Sequence, residues 1–330
     1  MILSAADGKI ASRTTENLDI PALDQGITLR LKRLPAAPAA QPSPKRAVLL
    51  VHGAFFPSST VYDIDLPGGT WLAHLAARGF DAYALDIRGY GSSTRPAFMD
   101  GPPGPYVPFA TTADAIRDVE AAVAVIRARS GVTQVDLLGW SWGAAIVGGF
   151  ATSHPDLVGH LVLYAPAWLP RTPPKDPPQA PKNYRTFDHD GARTRVLNGV
   201  PPDRIEEINP TAWFERFWAA NLIVDAVGAQ RTPPVVRAPS GVSQDAIEFW
   251  SKGVPTWRPQ EVLAPTLTIV GEWDRNTPTA MAEDVHALLI KAKDRRLKIV
   301  PEGTHFLALE KNRLQLFDEV SAFLSGTTPR

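Results

Sequence analysis

The amino-acid sequence predicts a doubly wound, mostly parallel α/β sheet interrupted by a helical, proline-rich lid, and three observations carry that expectation. Continuous apolar runs of strand length, such as Ala47-Val48-Leu49-Leu50-Val51, alternate with stretches of helical periodicity. Runs that read apolar throughout belong to strands covered on both faces, and strand–helix alternation makes neighbouring strands parallel. The alternation then stops between about 166 and 259, where prolines, polar loops and short amphipathic pieces take over. An insertion in such a sheet is expected over the carboxyl ends of the strands, where ligands bind. After 259 strand and helix resume. The expected organisation is a core in two parts, 1–165 and 260–330, with a lid of 166–259 between them.

In chain order, residues 17–33 alternate apolar and polar around Asp24-Gln25-Gly26, the pattern of an antiparallel hairpin at a sheet edge. The strand 47–51 runs into His52-Gly53-Ala54-Phe55. A helix over 72–78 and a strand over 81–85 follow, ending in the turn Asp86-Ile87-Arg88-Gly89-Tyr90-Gly91. Residues 111–129 read as a helix: Thr111 and Asp114 make a capping-box-like start, and Ile116, Val119, Val123 and Ile126 fall on one face. Strands are expected at 135–138 and 161–164. Within the insertion, 211–227 is amphipathic; beyond it come a strand at 266–271, a helix at 278–292, a strand at 297–300 and a helix at 309–324.

Composition narrows the function classes. The 330 residues hold 34 Lys plus Arg and 34 Asp plus Glu, so net charge is zero. Without a basic stripe there is no electrostatic footprint for nucleic acid or an anionic membrane, and neither is expected as a partner. Absence of cysteine excludes disulfides and thiolate catalysis. The first residues lack the basic start and apolar run of a signal peptide, and no apolar window reaches membrane-span length, so a cytoplasmic location is expected. The 32 prolines cluster in loops and in the insertion, and an Ala/Pro linker occupies 35–44.

The stretch with chemistry in it is Gly139-Trp140-Ser141-Trp142-Gly143, which fits G-x-S-x-G between the run Val135-Asp136-Leu137-Leu138 and a small-residue helix over 144–151. Strand, sharp turn and helix are what a nucleophile elbow needs, since the strained turn lifts the serine hydroxyl clear of the sheet. The five residues alone also fit an ordinary glycine-rich turn, so context decides. A serine hydroxyl needs a base to take its proton, and the base needs a third group to hold its tautomer. Asp274, in Gly271-Glu272-Trp273-Asp274, and His305, in Gly303-Thr304-His305-Phe306, each follow a strand. The order Ser141, Asp274, His305, each just past a strand's carboxyl end, is the order expected with a nucleophile elbow.

With these five motifs in order (His52-Gly53, Asp86-x-Arg88-Gly89-x-Gly91, the elbow, Gly271-x-x-Asp274 and Gly303-x-His305) the chain resembles the α/β-hydrolase superfamily over all but about its first fifteen residues. The resemblance implies Ser141 as nucleophile, His305 as base and Asp274 as orienting acid. It also implies an oxyanion hole from the backbone N–H groups of Ala54 and Trp142, with Phe55 as the other candidate for the first donor. His52 is expected to hold the oxyanion loop, and Asp86 and Arg88 to brace a turn beneath the site. His74, His154, His160, His189 and His286 read as surface or loop residues. Phe55, Trp140 and Trp168 are candidate substrate contacts.

Membership of such a superfamily does not fix the reaction. Serine rather than aspartate at the elbow argues for acyl transfer over the epoxide hydrolase or dehalogenase chemistry of carboxylate nucleophiles. His52-Gly53-Ala54-Phe55 lacks the pattern of prolyl peptidases, and Ala54 is not the tryptophan of perhydrolases. With no cofactor motif and no metal-ligand cluster in the sequence, the expected partners are a small-molecule ester and water. The reading is a serine hydrolase that cleaves a small to medium hydrophobic carboxylic ester through an acyl-enzyme. The alternatives are a carbon–carbon bond hydrolase using the same three residues and a binding protein with vestigial turnover. Arg231 or Arg237 in the insertion is a candidate to pair with a substrate carboxylate.

Overall fold

An eight-stranded sheet runs through the centre of the computed structural model, which describes residues 14–38, 45–172 and 180–327. In chain order the strands are β1 (Glu16–Pro21), β2 (Thr28–Leu34), β3 (Arg46–Val51), β4 (Phe80–Asp86), β5 (Val135–Trp140), β6 (Val158–Tyr164), β7 (Tyr184–Phe187), β8 (Val236–Pro239), β9 (Thr266–Gly271) and β10 (Arg295–Val300). The sheet order is β1-β2-β4-β3-β5-β6-β9-β10. β1 and β2 form the expected hairpin, β2 also runs antiparallel to β4, and every other pairing is parallel. Much of the expected linker at 35–44, namely 39–44, and the two chain ends lie outside the described residues.

The core sits on both faces of this sheet because strand side chains alternate. From β3, Val48 and Leu50 enter one apolar cluster, and Ala47, Leu49 and Val51 enter the other. All of them are fully buried, and each large one contributes about 2 kcal/mol of transfer free energy. This is why β3 reads apolar throughout. The helix Thr112–Ser130 covers one face, with Thr111 as N-cap and the capping box with Asp114 formed. Val119, Val123 and Ile126 point inward as their spacing requires.

Several boundaries differ from the sequence reading. The helix expected over 278–292 ends at Leu288. The last helix begins at Arg313 after a separate 3-10 turn, Leu307–Leu309. The amphipathic stretch 211–227 breaks into Thr211–Ile223 and Ala226–Ala229, because Asp225 leaves the helical conformation and its side chain caps the second piece at the Gly228 N–H. The proline-rich insertion also holds a two-stranded antiparallel ribbon, β7 with β8, that the sequence did not announce. His74 is half-buried rather than a free surface or loop residue: it sits on the helix Trp71–Ala77 against the Phe317 ring, and burial pushes its pKa down to about 4.

No helix among the described residues is long and apolar enough to cross a membrane.

Candidate active site

Parallel strands put their carboxyl ends on one edge, so the residues that follow β3, β5, β9 and β10 meet there. Ser141 follows β5 directly, with φ 58° and ψ −118°. A non-glycine residue in that region carries about 1–3 kcal/mol of strain, which persists only when neighbours enforce it. Here they do: the Ser141 N–H donates to the Tyr164 carbonyl (2.9 Å), and its carbonyl accepts from the N–H groups of Ala144 (3.0 Å) and Ala167 (3.1 Å). The flanking glycines are needed for packing. A Cβ on Gly139 would stand 2.2 Å from the Gly143 carbonyl oxygen, and one on Gly143 would stand 2.4 Å from that of Val51. The elbow thus closes backbone to backbone.

The loops carrying Asp274 and His305 are locked together in a similar way. A Cβ on Gly271 would lie 2.2 Å from the Gly303 carbonyl oxygen, so the chain after β9 and the chain after β10 touch. His305 Nδ1 lies 2.8 Å from Asp274 Oδ2, with both side chains buried. The other Asp274 oxygen accepts from the N–H groups of Asn276 and Thr277, 2.8 Å each. The Thr277 hydroxyl sits 2.9 Å from Asp274 Oδ2 and 3.1 Å from His305 Nδ1. The His305 carbonyl accepts from Trp140 Nε1 and from the Tyr164 hydroxyl, 3.0 Å each. Beneath it, Glu310 accepts from the Thr304 N–H (3.2 Å) and hydroxyl, and burial pushes its carboxyl up to about 7.

Ser141 and His305 line one small cavity, together with Gly53, Ala54, Phe55 and Trp140. They share the cavity rather than a hydrogen bond; contacts of this kind often tighten only in the substrate complex. Trp142 opens the helix Trp142–Ser153, so its N–H is one of the four without an intrahelical partner. The loop carrying Ala54 is held from three sides. His52 Nε2 accepts from the Ile87 N–H (3.1 Å), which leaves the ring proton on Nδ1 to donate to the Gly53 carbonyl (2.6 Å). Burial holds the His52 pKa down near 4, so the ring is neutral. The Tyr90 hydroxyl donates to the Ala54 carbonyl at 2.9 Å. Farther out, Asp86 ties Ser59 to the turn after β4, and Arg88 forks onto Asp118 and reaches Asp24.

The three candidate substrate contacts part ways. Phe55 lies in the cavity wall, with Phe187 edge-on at 4.7 Å and the guanidinium groups of Arg185 (4.3 Å) and Arg195 (3.9 Å) over its ring. Trp140 shows the cavity only part of a ring that otherwise packs on His305 and Phe306. Trp168 is buried against Trp257 and is not in the cavity wall. The two arginines named as candidates to pair with a substrate carboxylate are already engaged. Arg237 is buried in a fork on Asp225, at 2.6 and 2.9 Å, and Arg231 donates to the Met99, Asp100 and Gly101 carbonyls. Sequence reasoning missed Thr277, Tyr164, Glu310, Arg185 and Arg195. Only Thr277 carried a signal, three residues beyond a strand-end aspartate, where a carboxylate turn reaches.

The model of the alpha/beta hydrolase family matches residues 48–319. An epoxide hydrolase 3 of Siraitia grosvenorii is 26% identical over 213 residues, 62% of this chain and 60% of its own length, so the chain spans less than two thirds of that relative. Among solved structures, a serine hydrolase involved in carbazole degradation aligns with TM-score 0.62 at 18% identity, covering 94% of this chain and 99% of the other. A meta-cleavage product hydrolase from Pseudomonas fluorescens aligns with TM-score 0.57 at 13% identity, covering 94% and 97%. At those identities the structures speak for the fold.

Proposed function

The chain belongs to the alpha/beta hydrolase family, and we propose that it is a serine hydrolase cleaving a small to medium carboxylic ester through an acyl-enzyme intermediate. The observation that carries the reading is the buried His305–Asp274 pair at 2.8 Å, sharing a cavity with a serine on a strained elbow. In the reaction His305 Nε2 takes the Ser141 proton as Oγ attacks the ester carbonyl. Asp274 holds the proton on Nδ1, so that Nε2 is free to act as base, and stabilises the imidazolium that forms. The N–H groups of Ala54 and Trp142 receive the developing oxyanion. His305 returns the proton to the departing alcohol, and water repeats the sequence on the acyl-enzyme.

The insertion acts as the lid over this site: its Phe187 and Phe217 pack on Phe55 and Phe56, and its Arg195 lines the cavity. The epoxide hydrolase name of the curated relative is not carried over, because serine, not aspartate, occupies the elbow. The test is kcat/KM over esters graded in acyl length, with Ser141→Ala as the blank. Turnover that vanishes in the blank supports the reading. Absence of ester turnover, with hydrolysis of a vinylogous diketone instead, replaces it with carbon–carbon bond cleavage.

A further inference from the structure

Two guanidinium groups at the catalytic cavity stand without a counter-charge. Among the described residues Arg185 and Arg195 make no ion pair and no side-chain hydrogen bond, and Nε and Nη2 of Arg185 and Nε of Arg195 are out of reach of solvent. The other arginines of the interior behave differently: Arg88 forks onto Asp118 and Arg237 onto Asp225. Both side chains are half-buried; partial desolvation of a cation without a partner is unfavourable, and a second cation nearby adds to it. Burial and the neighbouring Arg185 push the Arg195 pKa down to about 10, which still leaves it charged at neutral pH. The carboxylate whose charge acts on Arg195 is Asp274, which is already committed to His305. What the pair does have is the Phe55 ring, under both guanidinium groups, a contact worth about 1–2 kcal/mol that orients the forks without neutralising them.

Arg195 is in the wall of the cavity with Ser141 and His305, whereas Arg185 lines an open groove with Lys182, Tyr184, Phe187 and Ser243. The two sites meet at Phe55, a cavity-wall residue whose ring carries both guanidinium groups and the Phe187 edge. We propose that Arg195 and Arg185 form an anion subsite of the substrate pocket, and that the ester cleaved at Ser141 carries a carboxylate, as the half-ester of a dicarboxylic acid does. This rests on the serine hydrolase reading. A planar guanidinium fork matches a carboxylate in two parallel hydrogen bonds, and the small cavity beside Ser141 favours a short acid. Arg185 attracts the anion at the groove, and Arg195 holds it beside the scissile carbonyl. Lys182 adds positive charge at the entrance.

The experiment compares kcat/KM for matched esters, p-nitrophenyl butyrate against p-nitrophenyl hemisuccinate, in the wild type and in Arg195→Met, Arg195→Lys and Arg185→Met. The wild type is expected to prefer the acidic ester, and Arg195→Met to lower the acidic-to-neutral ratio about 30-fold or more, with partial recovery in Arg195→Lys. Calorimetric binding of monomethyl glutarate to Ser141→Ala, with and without Arg195→Met, reads the subsite independently of turnover. Serine-dependent hydrolysis with no acidic preference, and equal binding by the two proteins, would overturn the subsite and leave the esterase standing. Arginine-dependent binding without ester hydrolysis would overturn the esterase reading and leave the subsite.

Discussion

Asp274→Asn exchanges one oxygen for an amide and leaves the shape of the site unchanged, so its effect isolates the charge and the tautomer. In the native arrangement Asp274 Oδ1 accepts two backbone N–H groups at 2.8 Å, and Oδ2 accepts from His305 Nδ1 at 2.8 Å. In the variant the single amide oxygen stays with the two backbone donors, because turning it away would leave both buried N–H groups facing an NH2. The amide NH2 therefore points at Nδ1. Two donors cannot share that contact, so the proton moves to Nε2 and the base is lost. The charge-assisted bond is worth about 1.5–3 kcal/mol, and losing it together with the correct tautomer gives a fall in kcat of about 10⁴-fold, near 5 kcal/mol of barrier. The assay is kcat by initial rates on the best ester found, with thermal unfolding as the control. A variant within tenfold of wild type would refute the reasoning and move the acid elsewhere, to the buried Glu310 beneath the histidine loop.

Other predictions concern the scaffold. Glu310 titrates near 7 in the fold and near 4.5 when unfolded, so it favours the fold fully below about pH 4.5, and this contribution, on the order of 3 kcal/mol, is lost as pH rises through 7. Glu310→Gln should flatten that part of a Tm-against-pH curve; an unchanged slope would count against the burial. His52 is shifted the other way, to about 4 from 6.5, so its contribution is present above pH 6.5 and lost as pH falls toward 4, again on the order of 3 kcal/mol. His52→Gln should reduce the acid-side loss of stability in urea titrations and also lower kcat through the loosened oxyanion loop. In Gly143→Ala the new Cβ would meet the Val51 and His52 carbonyl oxygens at 2.4 and 2.5 Å, a backbone clash worth about 3 kcal/mol or more; an unfolding midpoint equal to wild type would contradict it.

The parts legible in the sequence are those where one physical requirement acts locally. β3 through β6 and β9 are apolar because both faces are covered, and Gly139 and Gly143 are glycines because the elbow has no room for a Cβ. Strand ends then placed Ser141, Asp274 and His305 on one edge before any side-chain contact was known. The insertion was opaque for the opposite reason. Its prolines suppress periodicity, and whether an arginine there is free or engaged depends on the folded partners, some far away in sequence, as Arg237 depends on the Met99 carbonyl. Arg185 and Arg195 look no different from Arg231 and Arg237 in a linear reading. Trp168 misled in the same way, since its partner Trp257 lies on the other side of the insertion.

The central claim is that Ser141 is a nucleophile activated by His305. The direct measurement is the rate of fluorophosphonate labelling followed by peptide mass spectrometry, on the wild type, Ser141→Ala and His305→Ala. The account predicts a single adduct on Ser141, none in Ser141→Ala, and labelling slowed by at least about 10²-fold in His305→Ala. An adduct on another residue, or labelling at an undiminished rate without His305, would contradict it.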